Sequence, residues 1–107
     1  MAIYELRTYD IIVGHMGDVQ KLYQTLGYPA LEKGGFTKNL ISYFTGDIGA
    51  MNEIVHLWKF EDANDRAAFW RSVYADEGFM KFAGQLRPHL TRQQNKLLNA
   101  APWGQAL

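Results

Sequence analysis

Three stretches of the chain alternate like half-buried strands, yet each carries apolar side chains on both parities. Residues 3–12 set Tyr4 and Leu6 against Ile3 and Tyr9. Residues 36–45 set Phe36, Leu40 and Phe44 against Ile41 and Tyr43, and residues 53–61 set Ile54, Trp58 and Phe60 against Val55 and Leu57. A sheet with one face in water alternates cleanly, so these strands need cover on both sides. Helices inside the chain supply one cover. Met16, Val19, Leu22, Tyr23 and Leu26 form one stripe of an amphipathic helix, which Gly27 and Pro29 interrupt. A kink or restart is expected over residues 28–33, and Gly34-Gly35 ends the run. A second helix opens at Asp62-Ala63-Asn64-Asp65, where Asp62 or Asn64 can cap the free N–H groups. It carries Ala67, Phe69, Trp70, Val73 and Tyr74, and Asp76-Glu77-Gly78 is read as its break. Residues 79–86 then form a turn or two of further helix.

Residues 89–98 read as a last strand after Pro88, and residues 99–107 as a tail that packs on the surface or on a partner. The Gly46-Asp47-Ile48-Gly49 connection is too short for a parallel crossover, so the second and third strands form an antiparallel hairpin. The order is βαββαβ. With right-handed crossovers it gives an α+β, ferredoxin-like fold: a four-stranded antiparallel sheet with the helices on one face. At 107 residues the expectation is one domain spanning residues 1–107. The helices leave the second face bare. Each Leu or Phe left wet there forfeits about 1.5–3 kcal/mol, so two sheets packed face to face as a homodimer is the expected solution.

Eleven basic residues balance eleven acidic ones, which gives no counterion-release drive toward nucleic acid. The chain has no cysteine, so disulfides, thiolate nucleophiles and thiolate metal sites are excluded together. The opening residues carry charge by Glu5 and have no apolar core of a signal peptide, and no apolar run is long enough to span a membrane. A cytoplasmic location is expected, with no membrane partner. His15, His56 and His89 fall in three different elements without metal-ligand spacing, so no metal is expected. Phosphate-binding, dinucleotide and nucleophile-elbow motifs are absent.

The residues able to carry chemistry sit on the strands. Glu5 and Arg7 share one face of the first strand, and His56 and Trp58 share one face of the third, its neighbour in this plan. Under the helices, these four would line a partly buried pocket in which Glu5–Arg7 or Glu5–His56 pairing offsets the cost of burying charge. The plainer reading is a structural ion pair beside a satisfied core histidine. Tyr9, Tyr43 and Asn95 are polar-tipped residues able to complete the pocket as ligand contacts, although aromatics of this kind more often pack the core. Met16, Leu22, Leu26, Phe69 and Trp70 are read as core, and Asp62, Asp65, Arg66 and Arg71 as a solvated helix face.

The runs IYELRTYDIIVG, ISYFTGDIGAMNEIVHLWKFEDANDRAAFW and LRPHLTRQQNKLLNAAPW together resemble the NIPSNAP family along essentially the whole chain. The central run is the most specific: a strand, a Gly-turned hairpin, Asn52 and then the His56-Leu57-Trp58 strand. The resemblance implies a dimeric α/β-barrel fold, shared with antibiotic-biosynthesis and haem-degrading monooxygenases. Those relatives place a polar residue on the first strand and a tryptophan on the third, positions matched here by Arg7 and Trp58. The haem-degrading relatives carry an asparagine where Arg7 stands and a helical histidine absent from residues 69–82, which argues against haem degradation. No cofactor is named by the sequence. Three functional readings stay open. In one, the dimer binds a small apolar or anionic metabolite. In another, it is a cofactor-independent monooxygenase or isomerase with His56 as base, Arg7 stabilising an anion and Glu5 orienting one of them. In the last, it is a structural or assembly module with no open pocket.

Overall fold

The computed structural model describes residues 2–107. The chain runs through β1 (Ile3–Ile11), α1 (Met16–Leu22), a π turn (Tyr23–Gly27), α2 (Tyr28–Lys33), a 3-10 turn (Phe36–Asn39), β2 (Leu40–Thr45) and β3 (Glu53–Phe60). It continues through α3 (Ala63–Ala75), α4 (Glu77–Leu86), a second 3-10 turn (Arg87–His89) and β4 (Leu90–Asn99). The sheet is antiparallel throughout in the order β2-β3-β1-β4. This is the ferredoxin-like α+β plan expected from the element order.

The interruption expected around Gly27 and Pro29 is a π turn rather than a break. Pro29 has no N–H to give, and the Tyr28 N–H reaches back five residues to the Tyr23 carbonyl. Gly27 is required for a second reason: a Cβ there would lie 2.7 Å from the Phe82 ring on α4. Asp76 ends α3 as expected, its backbone extended at ψ 122°, and it also caps the next helix. Its carboxylate accepts from the Phe79 N–H at 2.8 Å, so α4 starts at Glu77, earlier than expected. Asp62 caps α3 in the same way, accepting from the Asp65 N–H at 2.8 Å.

Residues 36–39, expected as strand, form a 3-10 turn instead. Gly35 takes a left-handed conformation at φ 75°, and the turn lays Phe36 against Phe69. The register of β2 then shifts between Leu40 and Ser42. This bulge corrects the parity read from sequence. Leu40 and Tyr43 pair with Trp58 and His56 on the helix side, whereas Phe44 pairs with Val55 on the outer side and is 54% exposed.

Two apolar clusters fill the space between sheet and helices. Tyr9, Ile11, Val19, Ile54, Phe82 and Leu86 form one, and Leu31, Trp58, Phe60, Phe69, Trp70 and Val73 the other. Tyr43 and Phe79 pack against both. The outer face carries Tyr4, Leu6, Val55 and Leu57 along the central strands, with Leu98 at 42% exposure beside them. The tail turns back over part of it. A hollow of about 210 Å³ lies between Tyr4, Leu57 and Leu98 and residues 99–107, and Lys59 Nζ donates to the Leu107 carbonyl at 2.8 Å.

Candidate functional site

Strand pairing assembles the site row by row. Tyr43, His56, Arg7 and Asn95 stand in one register row that crosses all four strands on the helix side. The next row contains Leu40, Trp58, Glu5 and Leu97, and the row on the other flank joins Ile54, Tyr9 and Gln93. Apart from tyrosines, Glu5, Arg7 and His56 are the buried polar or charged residues of the described chain, at 0%, 4% and 2% exposure. The residues singled out on the strands therefore converge on the inner face, Asn95 from the edge strand included.

Of the two pairings expected, Glu5–Arg7 is present but secondary, and Glu5–His56 is not made. The main partner of Glu5 is Arg66 of α3, whose Nε donates at 2.6 Å and Nη2 at 3.1 Å. Trp70 Nε1 donates to the same carboxylate at 2.8 Å, while Arg7 Nε stands 3.7 Å away. Arg66, read from sequence as part of a solvated face, is a site residue. Trp70 is buried as expected, but it also holds Glu5 and presents its ring face to the Arg7 guanidinium, 4.2 Å from the ring centre. Arg7 is further fixed by donating from Nη2 to the Tyr74 hydroxyl at 3.1 Å and from Nε to Asn95 Oδ1 at 3.3 Å.

Arg66, Trp70 and Tyr74 lie at i, i+4 and i+8 on α3, one helix stripe. That spacing was visible in the sequence, where its members were divided between core and solvent. The two arginines share a single buried carboxylate. The inner face therefore holds one cation beyond what Glu5 neutralises.

His56 is held on three sides. Trp58 Nε1 donates to its Nδ1 at 2.7 Å. Tyr43 stacks on its ring at 4.4 Å with an interplanar angle of 11°, and Tyr9 meets it in a T-shaped contact at 4.8 Å. Its Nε2 is buried and has no hydrogen-bond partner. Burial first, and the Arg7 charge second, push the His56 pKa well below the ordinary histidine value, so the imidazole is neutral. Burial raises Tyr9, against the opposing pull of Arg7. Burial likewise raises Tyr23 and Tyr43, so all three remain phenols able to donate. For Arg7, burial opposes the charge, but the Tyr9 and Tyr74 oxygens and the Glu5 carboxylate outweigh it and the guanidinium stays cationic.

These groups line a cavity of about 50 Å³ between sheet and helices, closed by Phe79, Phe82 and Ala83 of α4. Exposed Arg87 and Gln93 mark the way out, between the end of α4 and β4. The space holds a few waters or a head group of a few atoms, far below the roughly 300–1,000 Å³ of a site that encloses a drug-sized ligand. A larger open groove of about 590 Å³ runs along the β2 edge between Tyr23, Tyr28 and residues 40–45. It contains no ionisable residue other than its tyrosines. Among the described residues no group of three or more His, Cys, Asp or Glu side chains is placed to hold a metal ion. His15 and His89 face one another, Nδ1 to Nδ1 at 2.9 Å, and tie the β1–α1 loop to the turn before β4.

Comparison with known proteins fits this architecture. The sequence model of the NIPSNAP family matches residues 4–105. The chain belongs to the NIPSNAP family. A NIPSNAP family protein from Agrobacterium tumefaciens is 27% identical over 97% of each chain, with a TM-score of 0.88. A NIPSNAP-like domain protein from Burkholderia xenovorans is 30% identical over 99% of this chain and 90% of its own, with a TM-score of 0.87. An antibiotic biosynthesis monooxygenase is 20% identical over 94% of this chain and 99% of its own, with a TM-score of 0.66, a likeness of fold alone. No curated protein matches. Among the described residues no helix is long and apolar enough to cross a membrane.

Proposed function

We propose that this NIPSNAP protein is a cytoplasmic homodimer in which each subunit binds a small apolar or anionic metabolite in the cavity between sheet and helices. The observation that carries the reading is the pairing of an unpartnered, buried His56 Nε2 with a surplus buried cation at Arg7. Leaving a buried polar atom unbonded costs about 1–3 kcal/mol, and a ligand oxygen seated against the sheet removes that cost. Trp58, Tyr9 and Tyr43 give such a ligand an apolar or phenolic wall, and Asn95 keeps Arg7 aligned. The dimer rests on the outer face, where Leu6, Val55, Leu57 and Phe44 stay partly or largely exposed beside the tail. Face-to-face packing about a two-fold axis covers such a surface.

Thermal unfolding in the presence of formate, acetate and benzoate, with acetamide and benzamide as neutral controls, tests the binding reading. The carboxylates raise the midpoint of the wild-type protein, and the shift is lost in Arg7→Gln. Equal responses to acids and amides, or none, would leave the assembly-module reading in its place. The same preorganised donors suit an oxyanion that develops during a reaction, which keeps the oxygenase or isomerase reading in view. Consumption of a bound ligand under oxygen, measured against an anaerobic control, decides between binding and turnover.

A further inference from the structure

Trp58 and His56 are neighbours of the same parity on β3, and both are almost completely buried. The indole N–H has no lone pair to offer, so it can only donate. Its 2.7 Å bond to His56 Nδ1 therefore requires a bare lone pair on Nδ1. A neutral imidazole with Nδ1 unprotonated carries its hydrogen on Nε2. The opposite ring orientation would set a carbon against the indole N–H, so the ring assignment is settled by the same bond. A doubly protonated imidazolium would aim N–H at N–H and is excluded on the same ground.

We infer that Trp58 is a positioning residue that locks His56 as an Nε2–H donor, and that the cavity therefore selects an oxyanion head group, a carboxylate or an enolate. The inference rests on the anion-binding reading of the cavity and sharpens it. Around the cavity the polar groups are the Arg7 guanidinium, the His56 N–H, the hydroxyls of Tyr9, Tyr23, Tyr43 and Tyr74, the Gln93 amide and the Arg87 guanidinium at its mouth. None is a carboxylate, because Glu5 is turned away to Arg66 and Trp70. A ligand oxygen with a full negative charge meets a cation and an N–H donor with no competing acid. A protonated acid lacks the ionic attraction to Arg7, and an ammonium group meets its repulsion. The geometry also removes His56 from the role of general base. A base at Nε2 needs its lone pair there, which would place the proton at Nδ1 against the Trp58 N–H.

Long-range ¹H–¹⁵N correlation spectra of the imidazole nitrogens read the tautomer directly, without any ligand. The expected result is an Nε2–H tautomer in the wild type, independent of pH through the range in which exposed histidines titrate. An Nδ1–H tautomer overturns the inference. In Trp58→Phe the lock is gone, and the tautomer ratio shifts toward Nδ1–H. An unchanged ratio also overturns it. Acetate titration, followed at His56 Nε2, supplies the ligand arm. His56→Gln keeps a side-chain donor and retains acetate affinity within a few-fold, whereas His56→Leu loses about tenfold or more. Equal loss in both variants overturns the donor role. Should Trp58→Phe not fold, the wild-type tautomer and the His56 pair of variants still decide. A wild-type Nε2–H tautomer with no response to acetate supports the lock and overturns the anion selectivity, together with the binding reading beneath it.

Discussion

Replacing Glu5 by Gln perturbs the most deeply buried charge of the protein with almost no change in shape. The carboxylate is 0% exposed and accepts from Arg66 Nε and Nη2 and from Trp70 Nε1, with Arg7 at 3.7 Å. The amide keeps one acceptor oxygen, sufficient for Trp70, and turns its NH₂ toward a guanidinium. Arg66 is 30% exposed and can swing into water, so its loss is small, near the ~1 kcal/mol of a surface pair. Arg7 cannot. It keeps Tyr74, Asn95 and the Trp70 ring but loses the negative charge that stood 3.7 Å away. Stranding one member of a buried pair costs about 3–5 kcal/mol, and the retained contacts of Arg7 place this case at the lower end, about 3 kcal/mol. Urea unfolding followed by tryptophan fluorescence measures it, provided the slope with denaturant is unchanged. If the stranded Arg7 charge is the cause, Glu5→Gln combined with Arg7→Met costs less than the sum of the two single changes, by about 1 kcal/mol or more. A loss below about 1 kcal/mol for Glu5→Gln, or strict additivity in the cycle, refutes the account.

Stability should also depend on pH through His56. Its pKa is depressed in the fold below the 6.5 of the unfolded chain, so below that value the unfolded state binds the extra proton and stability falls as pH falls, by at most about 1.4 kcal/mol per pH unit. Urea midpoints at about pH 7 and 5.5 should therefore drop further in the wild type than in His56→Gln, and equal drops contradict the buried neutral imidazole. Gly27→Ala forces a Cβ to within 2.7 Å of the Phe82 ring and should cost about 1–3 kcal/mol, seen as a lower thermal midpoint; an unchanged midpoint means that α4 moves freely. On the outer face, Leu57 pairs with Leu6 at the centre of the sheet, and Leu57→Asp should convert a dimer to a monomer in light scattering. A wild-type monomer at micromolar concentration, or a variant that stays dimeric, counts against the sheet-face interface.

The element order and the grouping of Glu5, Arg7, His56 and Trp58 on one face were legible because side-chain parity and the short hairpin leave few alternatives, whereas the placement of that face under the helices came from the family resemblance. What was not legible depended on local exceptions and on contacts between elements. The bulge after Leu40 reverses the parity of Phe44, and nothing in the alternation of residues 36–45 announces it. Asp76 was legible as the end of α3, but its second role as the cap of α4 emerges only from its bond to Phe79. Arg66 looked solvated because long side chains are usually exposed, and its capture by Glu5 required the packing of α3 on the sheet. The spacing of Arg66, Trp70 and Tyr74 was the available signal, and its meaning emerges only once the strand carrying Arg7 lies beneath it. The lock between Trp58 and His56 lies between these cases: the i, i+2 spacing was visible, but the direction of the hydrogen bond was not.

The account stands on the inner cavity being an anion site. Crystals soaked in sodium bromide, with anomalous diffraction collected at the bromine edge, test that most directly, because a monatomic anion needs no shape match in a space of about 50 Å³. The predicted result is a bromide peak inside the cavity within hydrogen-bonding reach of His56 Nε2 or the Arg7 guanidinium. Peaks confined to exposed arginines and lysines, with the cavity free of bromide, contradict it.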